Sequence, residues 1–152
     1  MRTTLHVLSL GSPEESRCVR DALLERQRCH LIAANGTQEL SAISSQETID
    51  VAILHASLNK TALRNGARTI RHRWPHARIL LVNPQAEIID DALYEERIAS
   101  FPSSDALLAT IELLAAASRR RRLGPPTWIS TEACHPLSNT FCPGIKEVRT
   151  QP

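Results

Sequence analysis

A histidine ends the most strand-like stretch of the chain, the apolar run from Asp50 to His55. The run contains neither Gly nor Pro and is continuously hydrophobic, which is typical of a strand buried on both faces of a parallel sheet. Functional groups of open α/β sheets lie at the carboxyl ends of the strands, so His55 is the first candidate. An imidazole there could accept a phosphoryl group, bind a metal or respond to pH. The simpler interpretation, a polar residue that hydrogen-bonds to a neighbouring loop, is favoured.

Three other clusters of polar residues carry weaker predictions. The basic segment 71–76 and the arginines 119–122 could contact nucleic-acid phosphates. We favour simpler interpretations: the charges of 71–76 form a solvated face, and the arginines compensate the negative end of a helix dipole. Cys134, His135 and Cys142 supply three possible zinc ligands where structural sites use four. The sequence contains no Gly-rich phosphate loop of the dinucleotide or Walker type. We therefore expect neither a metal nor a cofactor, and a nucleic-acid partner is not expected.

The composition indicates one domain with an aliphatic core, because 42% of the 152 residues are hydrophobic and only 3% are aromatic. The formal net charge of +2 is too small for a surface that binds nucleic acid as a whole. No apolar stretch approaches the ~20 residues of a membrane-spanning helix, and no apolar signal segment follows Met1. The sequence therefore predicts a cytoplasmic protein without a membrane partner and with reduced cysteines.

Apolar runs alternate with helical periodicities from residue 5 to residue 118. The predicted strands are 5–10, 29–34, 50–55, 77–82 and 97–100, and the predicted helices are 13–28, 37–46, 60–74, 88–93 and one that begins near Ser104. Short βα connections favour a parallel sheet with helices on both faces, since such crossovers are right-handed. The number of units is too small for an eight-fold barrel. It fits the flavodoxin-like five-stranded sheet of order 2-1-3-4-5.

The character of the sequence changes near the end of the last predicted helix. From Leu123 to Pro152 the chain is rich in proline and has neither a helical nor a strand period. We therefore predict a folded domain over 3–118, followed over 119–152 by the basic run and a poorly ordered tail.

The pattern of residues 3–118 resembles the receiver domain of bacterial two-component response regulators. The resemblance is carried by a first strand followed by a helix that starts with Pro13 and two glutamates, by the strand from Asp50, and by the strand that ends near Val82. The segment from Ser100 to Leu108 is similar to the block that precedes the last helix of many receivers. The resemblance implies the flavodoxin-like fold already predicted.

The resemblance also implies a set of positions for phosphoryl transfer, and the chain departs from the family at all of them. In receivers an aspartate that ends the third strand accepts the phosphoryl group, and an acidic pair after the first strand holds Mg²⁺. A hydroxyl residue ends the fourth strand and a lysine ends the fifth. The matching positions, in that order of roles, are His55, then Leu10 and Gly11, then Val82, then Ser100. This set predicts a degenerate receiver that is not phosphorylated.

Neighbouring residues do not restore the missing groups. If the register is one residue off, Asn83 rather than Val82 takes the hydroxyl position. The nearest acids, Glu14 and Glu15, lie inside the first helix and are expected to point to solvent. Asp50 begins its strand at the opposite edge of the sheet. We therefore expect no catalytic residue and no enzyme activity.

These observations predict a stand-alone receiver-like signalling module that acts through protein–protein interaction. The resemblance implies that a protein partner or a second copy binds the face of the fourth helix, fifth strand and last helix, including Tyr94 and Phe101. One alternative is a DNA-binding response regulator that has lost its helix-turn-helix, because Arg119 stands where a linker would begin. A weaker alternative is a small flavodoxin-like protein that binds flavin or another ligand.

Overall fold

The computed structural model describes residues 3–23, 28–55, 57–82, 89, 91–98 and 103–124. Its elements in chain order are β1 (Leu5–Leu10), α1 (Pro13–Leu23), β2 (Cys29–Ala34), α2 (Thr37–Ala42), β3 (Val51–His55), α3 (Lys60–Arg73), β4 (Arg78–Val82), a 3₁₀ turn (Asp91–Leu93), β5 (Glu96–Ile98) and α4 (Ser104–Leu123). Each neighbouring pair of strands is parallel, and the order is β2-β1-β3-β4-β5. The predicted fold class and strand order are confirmed.

Alternation along β3 explains how the sheet is buried on both faces. Ala52 and Leu54 belong to the core cluster that contains the buried residues of α2 and α3, while Ile53 belongs to the cluster with α1 and α4. Successive side chains of a strand point to opposite faces, so His55 shares the face of Ile53. The same alternation in β1 sends Ser9 to the face of α1 and α4. Two polar side chains of adjacent strands therefore meet on one face of the sheet.

The helix α3 follows its local sequence signals closely. The Asn59 side chain accepts a hydrogen bond from the Ala62 N–H at 2.8 Å and caps the first turn. Trp74 ends the helix, lies in the core with 5% of its surface exposed, and is followed by Pro75. The interpretation of Trp74 as a core residue is confirmed.

Several elements differ from their predicted bounds, most of them by one residue. The helix α2 ends at Ala42 rather than at Gln46, because the Ile43 backbone is extended and the Arg73 guanidinium binds the carbonyl oxygens of Leu40, Ser41 and Ile43 at the helix end. The helix predicted over 88–93 is a 3₁₀ turn at its end, and 83–88 lie outside the described residues. The strand β5 begins at Glu96, one residue earlier than predicted.

The helix α4 continues to Leu123, so the arginines 119–122 form its last turn. The chain divides into one unit up to Arg122 and another from Leu123 to Pro152. Of the second unit the structure describes only residues 123 and 124. The tail predicted after the basic run lies outside the described residues and stays a prediction.

Two of these arginines, Arg119 and Arg122, reach back to groups of the domain while their side chains stay about one third exposed. Asp50, which is 2% exposed, accepts a hydrogen bond from the His6 N–H at 3.0 Å. Its carboxylate oxygens also lie 3.6 Å from Arg119 Nη2 and 3.3 Å from Arg122 Nη2. The same guanidinium groups donate to the carbonyl oxygens of Thr4 and Ile49. Arg119 and Arg122 therefore have a structural role that their interpretation as cations at a helix C-terminus did not include.

In the described ranges, no helix has both the length and the apolarity that a membrane crossing requires.

Candidate functional site

The structure brings four of the predicted positions together at the carboxyl edge of the sheet. The register pairs Leu10 of β1 with Leu54 of β3, and His55 with Val82 of β4. Gly11 follows Leu10 directly and lies against the His55 side chain. The last position, Ser100, and the alternative Asn83 lie outside the described residues. The order of the predicted strands was therefore sufficient to place Leu10, Gly11, His55 and Val82 at one edge of the sheet.

His55 is enclosed by the domain, with 1% of its surface exposed. Its Nε2 atom lies 2.9 Å from Ser9 Oγ, and Ser9 Oγ lies 2.9 Å from Ser16 Oγ of α1. The Nδ1 atom is also buried and has no hydrogen-bond partner among the described residues. Ser9 and Ser16 are buried as well. The imidazole is thus the first group of a small hydrogen-bonded chain that runs from β3 through β1 to α1. The sequence had instead predicted a hydrogen-bond partner in a neighbouring loop.

Burial lowers the pKa of His55 below its ordinary value of 6.5, and attraction to the Glu15 carboxylate offsets this only in part. A low-dielectric surrounding disfavours the charged imidazolium, so the ring is neutral at neutral pH. A neutral ring with both nitrogens buried cannot reach a phosphoryl donor or a metal in solution. The geometry therefore agrees with the simpler interpretation of His55 as a hydrogen-bonded replacement.

Gly11 shows that the arrangement excludes a larger residue at one of the acidic-pair positions. A Cβ atom there would lie 2.6 Å from the Cβ of His55 and 2.5 Å from Glu15 Oε2. Neither distance is compatible with van der Waals packing, so a carboxylate side chain at position 11 and the present His55 cannot coexist without movement. Leu10, at the other position of the pair, is fully buried in the core.

Glu15 corrects the prediction that both glutamates of the first helix point to solvent. Its Oε2 atom accepts the Ser12 N–H at 3.0 Å and the Ser57 hydroxyl at 2.6 Å, and its Oε1 atom accepts the Ser57 N–H at 3.2 Å. Burial by itself raises the pKa of Glu15, but the hydrogen bonds from Ser57 and Ser12 and the attraction of His55 outweigh it and lower the pKa below 4.5. The carboxylate is therefore charged at neutral pH.

Four residues of this edge were not among the predicted site residues: Ser9, Ser16, Ser57 and Glu15. One signal for them exists in the sequence, because Ser12 and Glu15 have the spacing of a capping box. Ser12 Oγ accepts the Glu15 N–H at 3.3 Å, which completes that motif and confirms Ser12 as the N-cap. Nothing in the sequence pattern points to Ser57, since it lies 42 residues from Glu15.

Metal-binding potential can be judged for part of the chain. Across the ranges that the structure describes, no group of three or more His, Cys, Asp or Glu could hold a metal ion. Cys134, His135 and Cys142 lie outside those ranges.

Comparisons with known proteins find the same fold in solved structures. No family model and no curated protein matches the chain. The response regulator TrrA from Thermotoga maritima is 16% identical with a TM-score of 0.61, over 74% of this chain and 99% of that one. A signal receiver domain of an HD domain-containing protein from Pseudomonas fluorescens is 19% identical with a TM-score of 0.67, over 82% and 96%. A CheY-like receiver domain from Methanospirillum hungatei is 14% identical with a TM-score of 0.63, over 77% and 98%. The chain therefore has the fold of response-regulator receiver domains.

Proposed function

We propose that this chain is a receiver-type module of a two-component signalling system that is not phosphorylated and has no enzymatic activity. Its neighbours among solved structures are response regulators and receiver domains, which supports a signalling role. The observation that carries the loss of phosphorylation is the buried His55, held by Ser9 at the position where receivers carry their phosphoryl-accepting aspartate.

Two features of the surrounding edge support the same proposal. A phosphoryl-transfer site in this family needs carboxylates that hold Mg²⁺, because the metal offsets the charge of the phosphoryl oxygens. Leu10 is buried in the core, and Gly11 is packed against His55 and Glu15. Among the described residues of the edge, the Glu15 carboxylate is bound to the backbone and side chain of Ser57. The described positions of the edge thus offer neither the aspartate nucleophile nor the acidic pair.

Incubation with acetyl phosphate and Mg²⁺ tests this directly. We expect the intact mass of the protein to stay unchanged, while a receiver that carries the usual aspartate gains a phosphoryl group under the same conditions. The His55→Asp variant should also stay unmodified, because it restores the nucleophile without the metal ligands. An alkali-labile phosphoryl group on the wild-type chain would contradict the proposal.

Without phosphorylation, the module must act through contacts with other proteins. We propose the face of the 3₁₀ turn, β5 and α4 as the contact surface. On α4, Leu113 is a large apolar side chain with 69% of its surface exposed. Tyr94 is half-buried beside β5, and Phe101 lies outside the described residues. We infer that Leu113 is the anchor for a partner or for a second copy, because binding would remove its apolar surface from water.

Affinity capture from the native cell, combined with sedimentation equilibrium, tests this surface. A partner or a dimer should be present with the wild-type chain and lost in Leu113→Glu. The matched control is Gln38→Glu, which puts the same charge at an exposed position of α2 on the other side of the sheet. If Leu113→Glu and Gln38→Glu give the same complexes as the wild type, this face is not the contact surface.

A further inference from the structure

We propose that the Glu15 carboxylate is a built-in latch that holds the loop after β3 against the start of α1, and so fixes the carboxyl edge in one conformation without a bound ligand. This inference deepens the proposed function, since a module that is not phosphorylated needs another device to set the conformation of this edge. The latch consists of Glu15 on one side and Ser57 on the other, with Ser12 between them.

The contacts of Glu15 exceed what capping a helix requires. A capping box needs only the reciprocal bonds between Ser12 and Glu15, which the structure contains. Glu15 in addition accepts both the N–H and the hydroxyl hydrogen of Ser57, at 3.2 Å and 2.6 Å. The Ser57 hydroxyl oxygen in turn accepts the Ser12 N–H at 3.0 Å. Hydrogen bonds to a charged acceptor are stronger than those between neutral groups, so these contacts favour the closed loop.

The packing beneath the carboxylate is specific to this arrangement. A Cβ atom on Gly11 would lie 2.5 Å from Glu15 Oε2. The glycine at position 11 therefore leaves the space that the Glu15 carboxylate occupies. The loop also closes on its own strand, because the Leu58 N–H donates to the His55 carbonyl oxygen at 3.2 Å. The latch therefore joins the ends of β1 and β3, the two strands that hold the polar chain of His55.

The preceding residue provides a matched control. Glu14 lies on the same first turn of α1 and has the same charge, but its side chain is exposed. Removal of either glutamate changes the charge near the helix N-terminus by the same amount. Only removal of Glu15 takes away the acceptor of the Ser57 donors.

Amide hydrogen exchange of the full chain tests the latch. In Glu15→Ala we expect the amide of Ser57 to exchange at least about tenfold faster than in the wild type. In Glu14→Ala its rate should stay within about twofold. The amides of Leu8 and Ile53 in the core strands serve as internal references and should not change in either variant. An unchanged rate at Ser57 in Glu15→Ala, or an equal acceleration in Glu14→Ala, would overturn the proposal.

A second variant keeps the test decisive if Glu15→Ala unfolds the domain. Ser57→Ala removes the hydroxyl from the loop side and leaves the capping box of α1 intact. We expect faster exchange at position 57 with unchanged exchange along α1, whereas unchanged exchange at position 57 would overturn the latch. Neither experiment contains a phosphoryl donor or a partner protein. The latch can therefore fail while the acetyl phosphate result still supports the proposed function, and the reverse also holds.

Discussion

The two ends of β3 carry buried polar residues that the domain treats in opposite ways. At the amino end, the Asp50 carboxyl group is surrounded by two arginines and a backbone N–H. At the carboxyl end, His55 is neutral and its partner is the hydroxyl of Ser9. Ligands of open α/β sheets bind at the carboxyl ends of strands. A buried carboxylate with cationic partners would therefore be expected at the carboxyl end of β3, where His55 lies, and not at its amino end. The amino edge thus holds the strong electrostatic cluster, and its role is structural.

The difference shows how a buried charge and a buried neutral group are accommodated. A buried carboxylate needs a compensating cation and a hydrogen bond. The end of α4 supplies the cations, Arg119 and Arg122, and β1 supplies the hydrogen bond from the His6 N–H. A neutral imidazole needs only a hydrogen-bond partner, so the carboxyl edge can close without a cation. Glu15, a charged group at this edge, lies outside the sheet and binds the loop after β3.

The comparison is tested most strongly by Asp50→Asn. The variant leaves Arg119 and Arg122 without their counter-charge, and one carboxylate bond to the His6 N–H becomes weaker. Loss of one member of a buried ion pair costs about 3–5 kcal/mol, and the arginines are only partly buried, so we expect a loss of about 2–3 kcal/mol in the free energy of unfolding. Urea denaturation measures it. The exposed Asp21→Asn should cost less than about 0.5 kcal/mol, and equal losses would refute a structural role for Asp50.

Gly11→Ala tests the packing at the other end of the strand. Its new methyl group would lie 2.6 Å from the His55 Cβ and 2.5 Å from Glu15 Oε2, so the edge must shift. Overpacking of this kind costs about 1–3 kcal/mol, and we expect a loss near the middle of that range. Gly36→Ala is the control, because its methyl group meets no atom within 4 Å. A Gly11→Ala protein as stable as the Gly36→Ala protein would mean that the edge is loosely packed.

The sequence was sufficient for the fold because the strands are marked by continuous apolar runs and the helices by local caps, as at Asn59. It was also sufficient to place His55 and Gly11 at one edge, since strand ends in a parallel sheet meet there. It failed for Glu15 and for Arg119, whose roles depend on partners distant in the chain. A local rule explained each residue adequately: Glu15 was expected to be exposed in the first turn of its helix, and Arg119 to compensate the helix dipole. The long-range contact that overrides the rule leaves no periodic signal.

The basic run offers a comparison within four consecutive residues. Arg119 and Arg122 bind Asp50 and backbone carbonyl groups, whereas Arg120 and Arg121 are exposed. We expect the double variant Arg119→Ala/Arg122→Ala to lose about 1–2 kcal/mol of unfolding free energy, and the matched Arg120→Ala/Arg121→Ala less than about 0.5 kcal/mol. Both remove two positive charges from the same helical turn. Similar losses in the two variants would show that the run acts through its charge alone.

The smallest expected effect is the pH dependence that His55 gives to stability. Burial lowers the pKa of His55 in the folded chain from 6.5, and attraction to Glu15 offsets this in part. As the pH falls through about 6.5, the unfolded chain takes up a proton that the folded chain does not, so stability falls until the folded imidazole is also protonated. One proton changes the unfolding free energy by at most about 1.4 kcal/mol per pH unit.

Urea denaturation of the wild type and of His55→Gln, between about pH 7.5 and pH 5.5, measures this contribution. Glutamine keeps a hydrogen-bonding group beside Ser9 and does not titrate, so the stability of the wild type should fall more steeply towards acid than that of the variant. His72→Gln, an exposed change on α3, should keep the wild-type slope. Parallel curves for the wild type and His55→Gln would mean that the imidazole protonates as readily in the folded chain as in the unfolded one. The carboxyl edge would then be open to water, and its contrast with the enclosed carboxylate of Asp50 would disappear.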